Sequence, residues 1–292
     1  MGVAIYSLLS HNTKVSKIRL FIVDNNISSE NISKISQVIS TFDNAELTFI
    51  PFEKWAENLH INMAWPISLS SYARLFVGEM LPGDIERLLY LDSDMLVCED
   101  LSNLWNTELG DKMIGAIQDQ VNGNAKTSIG LNLSDDYFNA GLLLFNLKKW
   151  RNEGMGEKCL NFIASYGGQV IHHDQGTLNG LLKDLWLRLP LKYNVMTIHY
   201  IMSQSKIKRY FRDKSSFYDL EEIEDAKLRP SILHFTPSFT SHPWELNCKH
   251  PKRDLYKCTQ NETPWANYPL EDAKSPWYVK LINCYYRNFP IF

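Results

Sequence analysis

The chain has 292 residues, 45% of them apolar and 22% charged, with a formal net charge of −3. That is enough for one large α/β domain with a substantial core, and the charge balance offers no basic face for nucleic acid. No run of about 18 apolar residues is present to span a bilayer, no basic-then-apolar start marks a secretory signal, and an odd number of scattered cysteines fits a reduced, cytoplasmic protein.

Taken in chain order, Val3 to Leu9 carries apolar residues at helical spacing, with Ile5, Leu8 and Leu9 on one face. Arg19 to Asp24 reads as a buried strand, Ser29 to Thr41 as an amphipathic helix, and Glu46 to Phe52 as a second strand. Ser68 to Glu79 predicts a helix carrying Tyr72, Arg74 and Leu75, followed by a strand over Leu88 to Leu91. Met113 to Gln118 reads as a strand ending at Asp119, and Phe138 to Phe145 as another. A single helix is predicted over Leu147 to Tyr166, and one from Asp174 to Leu182, where the acid suits the helix dipole. Trp186 to Pro190 and Ile232 to Phe235 are short strands. The alternation predicts a mixed, mainly parallel sheet with helices on both faces. Substrate then binds beyond the carboxyl ends of the strands, where Asp92, Asp119 and His234 fall.

The most informative segment is Arg87 to Val97, RLLYLDSDMLV. Asp92 and Asp94 are one residue apart on an extended chain, so they point the same way. Two such carboxylates at the end of a buried strand call for a cation. An EF-hand loop starting at Asp92 fails, because Leu96 and Val97 stand where an oxygen ligand and the invariant Gly belong. A phosphatase with an aspartyl nucleophile fits poorly, because Leu96 stands where Thr or Val is usual and no later acidic pair follows. A sugar-nucleotide site remains, in which Mn²⁺ or Mg²⁺ bridges carboxylates and diphosphate. It calls for a third ligand, and His234 is the candidate, with an ordinary core histidine as the alternative.

LYLDSDMLV, YFNAGLLLFNLKKWR (Tyr137 to Arg151), HHDQGTLN (His172 to Asn179) and LHFTPSFTSHPW (Leu233 to Trp244) occur in that order. Together they resemble the retaining family 8 glycosyltransferases of GT-A (Rossmann-like) fold, among them bacterial lipopolysaccharide galactosyl- and glucosyltransferases. The resemblance covers about residues 2 to 250. It implies a hexosyltransferase that moves Gal or Glc from a UDP-sugar to a glycan, glycolipid or glycoprotein acceptor. It further implies that Asp92, Asp94 and His234 hold Mn²⁺ or Mg²⁺. Arg74, Asp119, Asn139, Ala140, Gly141 and His242 would meet the donor, and Asp174 and Gln175 would lie beneath the anomeric carbon. The bland readings are an ion pair for Arg74, a cap for Asp119 or Asp174, and a bulge for Gly141.

The chain departs from that family in three places. Gly176 stands where a second acid is usual after Asp-Gln. In the last motif Pro237 replaces a Gly and His242 a phosphate-binding Lys, with Lys249 and Arg253 nearby. The usual first strand and its uridine-binding loop have no counterpart before Gly2. A catalytically impaired sugar-binding relative is therefore the alternative function. The expected division is a catalytic domain over 1–245 and an extension over 246–292, rich in Trp and Tyr (Trp265, Trp277, Tyr278, Tyr285, Tyr286). That extension either packs as a subdomain or makes a peripheral contact with the membrane face.

Overall fold

The computed structural model describes residues 1–56, 69–237 and 239–271. The helix α1 (Gly2–His11) opens this set. Its Ser7 hydroxyl accepts from Val97 N at 3.0 Å and its cap Asn12 accepts from Leu101 N at 2.8 Å, which locks it onto the chain beyond the Asp-x-Asp segment. There follow β1 (Ile18–Asp24), α2 (Ser29–Ile39) and β2 (Ala45–Pro51), with β1 and β2 parallel and in unbroken register. Ser28 caps α2 through Asn31 N, as a serine at that position should.

The centre of the molecule is built from β3 (Arg87–Leu91), β4 (Met95–Val97), β5 (Ile114–Asp119), β6 (Tyr137–Asn146), β7 (Trp186–Arg188), β8 (Val195–Met196) and β9 (Ile232–His234). They form a four-stranded sheet of order β3-β6-β5-β7 and a three-stranded sheet of order β4-β9-β8. Pairing is mixed, as expected, but less parallel than expected. Among the described strands, β1·β2, β5·β7 and β8·β9 are parallel, whereas β3·β6, β5·β6 and β4·β9 run antiparallel. Two of these three antiparallel pairs belong to β6, which returns between β3 and β5 and opposes both.

The long central strand β6 is buried throughout except at its last residue. Its pairing with β5 breaks at one point: Ala116 opposes Leu143, but Ile117 opposes Asn139. This bulge reverses the in-out phase. Beyond it, Leu143 and Phe145 join one core cluster and Leu142 and Leu144 the other. Before it, Phe138 and Ala140 enter the first cluster, which turns Asn139 and Gly141 to the opposite face.

Two predicted helices are corrected. The Leu147 to Tyr166 run is two helices, Leu147–Asn152 and Met155–Ser165, parted at Gly154 with φ +60°. Glycine adopts this left-handed conformation without the clash a Cβ brings, and the axis turns there. The segment read as Ser68 to Glu79 is a 3₁₀ run over Leu69–Phe76, then a short helix over Val77–Met80. Its side chains from Tyr72 to Phe76 are all buried, and a 3₁₀ run this long often marks a functional segment. Ser68 itself lies outside the described residues.

Helix Arg253–Asn261 packs against α1, and Trp265 donates through Nε1 to Asn31 at 3.0 Å. The aromatic residues from Trp277 onward lie outside the described residues. No helix among the described residues is long and apolar enough to cross a membrane.

Candidate active site

Three strand ends meet at one place. Asp92 follows β3, its amide donating to Gly141 O at 2.8 Å, so the pairing with β6 holds up to the first carboxylate. Phe235 N donates to Asp94 O at 3.0 Å and Met95 pairs with His234, which carries the second carboxylate beside the imidazole. Asp92, Asp94 and His234 each offer a ligand atom within 4.8 Å of the others. His234 Nε2 lies 3.2 Å from Asp94 Oδ1. Gly141 is what leaves room for this: a Cβ there would come 2.4 Å from His234 Cε1 and 3.0 Å from Asp92 Oδ2. Gly141, in the irregular stretch of β6, thus makes the space in which the imidazole and the carboxylate meet.

The imidazole is oriented from behind. His234 Nδ1 is 2.9 Å from Asn194 Oδ1, and Asn194 Nδ2 donates to Asn139 Oδ1 at 2.9 Å. With its amide nitrogen spent on Asn139, Asn194 presents a carbonyl to His234. It therefore accepts from Nδ1–H and leaves the Nε2 lone pair toward the carboxylates, the arrangement a metal-binding histidine needs. Burial alone would disfavour the imidazolium, but the Asp94, Asp92 and Asp119 charges outweigh it and raise the His234 pKa. Burial likewise penalises the Asp94 carboxylate, yet His234, then His242, bring its pKa down to about 2. Two hard carboxylates and an oriented imidazole suit Mn²⁺ or Mg²⁺.

Arg74 is no surface ion pair. Buried under the site, it donates from one terminal nitrogen to Asp92 Oδ1 at 2.8 Å and from the other to Ala140 O. Its Nε lies 2.9 Å from Asp174 Oδ2. Tyr90 covers the guanidinium at 4.5 Å and donates to Asp92 Oδ1 at 2.9 Å. One cation thus joins the Asp92 and Asp174 carboxylates.

The sugar-facing candidates form a second linked group. Gln175 accepts from Ala140 N at 3.0 Å and approaches Asp119 Oδ2 at 3.4 Å, and Asn139 donates to the same oxygen at 3.2 Å. Burial raises the Asp119 pKa despite these bonds, and burial raises that of Asp174 despite Arg74. Asp119, Asn139, His172 and Gln175 are among the residues that line a cavity of about 230 Å³. His242 lies 3.9 Å from Asp94 Oδ2, stacked on Trp244 and bonded to Glu245. Arg253, a candidate to replace the missing lysine, instead donates to Pro243 O and Glu245 O in the loop that carries His242.

The Gly176 departure has a steric cause. His172 and His173 are both left-handed, each with φ +55°, and their rings bond the hydroxyls of Tyr137 and Tyr72 at 3.0 and 3.2 Å. This double turn folds the Ile171 carbonyl onto the helix His173–Leu181, where a Cβ on residue 176 would lie 1.8 Å from it. An acid cannot occupy the position while the turn holds. Sequence reasoning missed Asn194, Tyr90 and the two histidines. Only the paired His172-His173 before Asp174 offered a signal.

Solved glycosyltransferases share this architecture. A crystal structure of the galactosyltransferase LgtC with donor and acceptor sugar analogs superposes at a TM-score of 0.72, with 26% identity over 91% of this chain and 94% of that one. The apo WbbM bifunctional glycosyltransferase, at TM-score 0.76 and 22% identity over 91% of this chain and 48% of its own, shares the fold. The chain therefore has a GT-A-like glycosyltransferase fold. The model for glycosyl transferase family 8 matches residues 1–248, and the chain belongs to that family. Its relatives include general stress protein A of Bacillus subtilis, 27% identical over 91% of this chain and 90% of that protein. A lipopolysaccharide 1,2-glucosyltransferase of Escherichia coli K12 is 31% identical over 71% of this chain and 59% of its own length.

Proposed function

We propose that this chain is a retaining, divalent-metal-dependent hexosyltransferase that moves Gal or Glc from a UDP-sugar to a glycan, glycolipid or glycoprotein acceptor. The observation that carries the reading is the convergence of Asp92, Asp94 and His234 within 4.8 Å, with His234 oriented by Asn194. Family membership and the lipopolysaccharide glucosyltransferase relative support it. A divalent cation held there would neutralise charge on the departing diphosphate.

The protein's own groups do the rest. Arg74 fixes Asp92 and Asp174 against each other beneath the sugar. Asp119 and Asn139 offer an acceptor and a donor for sugar hydroxyls. The Gln175 carbonyl oxygen, which also accepts from Ala140 N, would turn the negative end of its dipole to positive charge growing at the anomeric carbon. Retention requires either a glycosyl-enzyme intermediate or attack from the departing face. Asp174 is held by Arg74 and Gln175 is a poor nucleophile, so the acceptor attacks from the face that the phosphate leaves, and the phosphate oxygen takes the acceptor's proton. A mass shift of one hexose on Asp174 would refute that route.

Mn²⁺-dependent hydrolysis of UDP-Gal or UDP-Glc tests the reading. Turnover is expected in the wild type and a loss of about 10³-fold in Asp94→Asn, the scale of removing a main stabiliser of the leaving-group charge. Donor binding with no turnover under any divalent ion would instead assign a sugar-binding role.

A further inference from the structure

The helix Gln204–Phe211 and the turn after it read QSKIKRYFRDK over residues 204–214. This stretch holds Lys206, Lys208, Arg209, Arg212 and Lys214 but a single acid, Asp213. That acid is enclosed with Lys126 and leaves no charge for the surface. Lys208, Arg209, Arg212 and Lys214 are exposed and Lys206 is half-buried. Among the described residues, no acid pairs with any of the five. Elsewhere exposed cations sit beside acids: Lys17 with Glu46, Arg19 with Asp84, Lys158 with Glu153 and Arg229 with Asp225. In a chain of formal net charge −3, this segment is a local reversal of sign.

The segment is also fixed to the site. Gln204 Nε2 donates to Gln120 Oε1 at 3.1 Å, one residue beyond Asp119. Ile207 and Phe211 line the cavity that Asp119 and Gln175 also line, and the Lys126–Asp213 pair anchors the far end. Eight helical residues span roughly 12 Å, close to the screening length at ordinary ionic strength, so the charges act together beside the site. A bilayer would need an apolar face to take up. Here Ile207 is buried, Phe211 is half-buried, and Tyr210 sets its ring edge-on to Phe211 and Phe239. A carboxylate brings one charge, whereas a phosphate ester brings nearly two and three acceptor oxygens, a geometry that guanidinium forks match. We propose that the exposed side of this helix binds phosphate groups on the acceptor, which makes the substrate a phosphorylated glycan rather than a neutral one. The word acceptor rests on the transferase reading, but phosphate binding stands on the helix alone.

Calorimetry on the metal-free full chain tests it, since no ion at Asp92 and Asp94 can then collect phosphate. The probes are maltohexaose phosphorylated at its primary hydroxyls, the same glycan after phosphatase, trigalacturonate, and vesicles of phosphatidylglycerol and phosphatidylcholine. The phosphorylated glycan should bind about tenfold more tightly than either other glycan. The triple variant Lys208→Gln, Arg209→Gln, Arg212→Gln should lose about tenfold in that affinity, the sum of three exposed charge contacts. A second triple variant, Lys17→Gln, Arg19→Gln, Lys158→Gln, removes the same charge elsewhere and should change it by less than about twofold. Equal binding of all three glycans, tighter binding of trigalacturonate, binding of none, no loss in the helix variant, or the same loss in both variants would overturn the proposal. Vesicle capture that disappears in the helix variant while glycan affinity holds would overturn it too and assign the helix to a membrane surface. Mn²⁺-dependent hydrolysis of UDP-sugar by the wild type separates the two claims: its absence contradicts the transferase and leaves phosphate binding to be judged by the calorimetry.

Discussion

Two buried charge clusters in this molecule are built on opposite principles. In one, Lys126 meets Asp213 with both side chains fully enclosed, and Asp213 Oδ1 also accepts from the Ser215 amide and hydroxyl, each at 3.0 Å. One anion faces one cation. In the other, the Asp92, Asp94, Asp119 and Asp174 carboxylates face one arginine, Arg74, and the imidazoles of His234 and His242. Asp92 and Asp94 keep 25% and 20% of their side-chain surface in solvent. A charge that serves the fold is cancelled where it stands. On the proposed function, the charge of the second cluster is left in surplus for an ion and a substrate to balance. Buried ionic groups thus separate into scaffold and site by their balance, before any motif is consulted.

The sharpest way to break this comparison is Lys126→Met, which strands Asp213 in the core. It should cost about 3–5 kcal/mol of stability, read as a fall in denaturation midpoint, whereas Asp94→Asn, at a part-exposed carboxylate whose neighbours are also acidic, should lower the midpoint clearly less. A similar cost for both would erase the distinction. Gly176→Ala comes next. Its Cβ would press on the Ile171 carbonyl, now 1.8 Å from that point, and should cost about 1–3 kcal/mol while displacing Asp174 and Gln175. Unchanged melting and turnover would show that the His172-His173 turn relaxes freely. Asn194→Ala removes the group that orients His234 and should weaken Mn²⁺ binding about 10–100-fold, with the fold retained by circular dichroism.

The smallest effect is one of pH. The fold raises the His234 pKa above its ordinary 6.5, so the stability that this histidine contributes is present below that value and is lost as pH rises through the folded one. Asp94 is held down at about 2 from an ordinary 3.8, so its contribution is present above 3.8 and is lost as pH falls through about 2. Metal-free wild type should therefore lose more stability between about pH 6 and about pH 8 than His234→Asn does, and Mn²⁺, on the proposed reading a ligand of Nε2, should remove that difference in slope. A difference that persists with saturating Mn²⁺ would place the ion elsewhere.

Much of this was legible in the sequence because apolar runs and strand ends are local signals. Leu88 to Leu91 and Ile232 to Leu233 mark their strands, and Asp92, Asp94 and His234 follow directly from where those strands stop. What was hidden depends on long-range pairing. The antiparallel course of β6 cannot be read from its own residues, since a fully buried strand shows no alternation. Asn194 follows the short turn Leu191–Tyr193 with no motif around it, so only the fold reveals that it touches both His234 and Asn139. Arg74 read equally as a surface ion pair until its burial between Asp92 and Asp174 was seen. Gly176 looked like a lost acid. The left-handed pair before it shows a backbone that has no space for one.

Calorimetric titration of Mn²⁺, with UDP present, into the wild type and Asp94→Asn tests the central claim most directly. The account expects one ion per chain in the wild type and no measurable binding in the variant. An ion bound equally by both, or by neither, would contradict it.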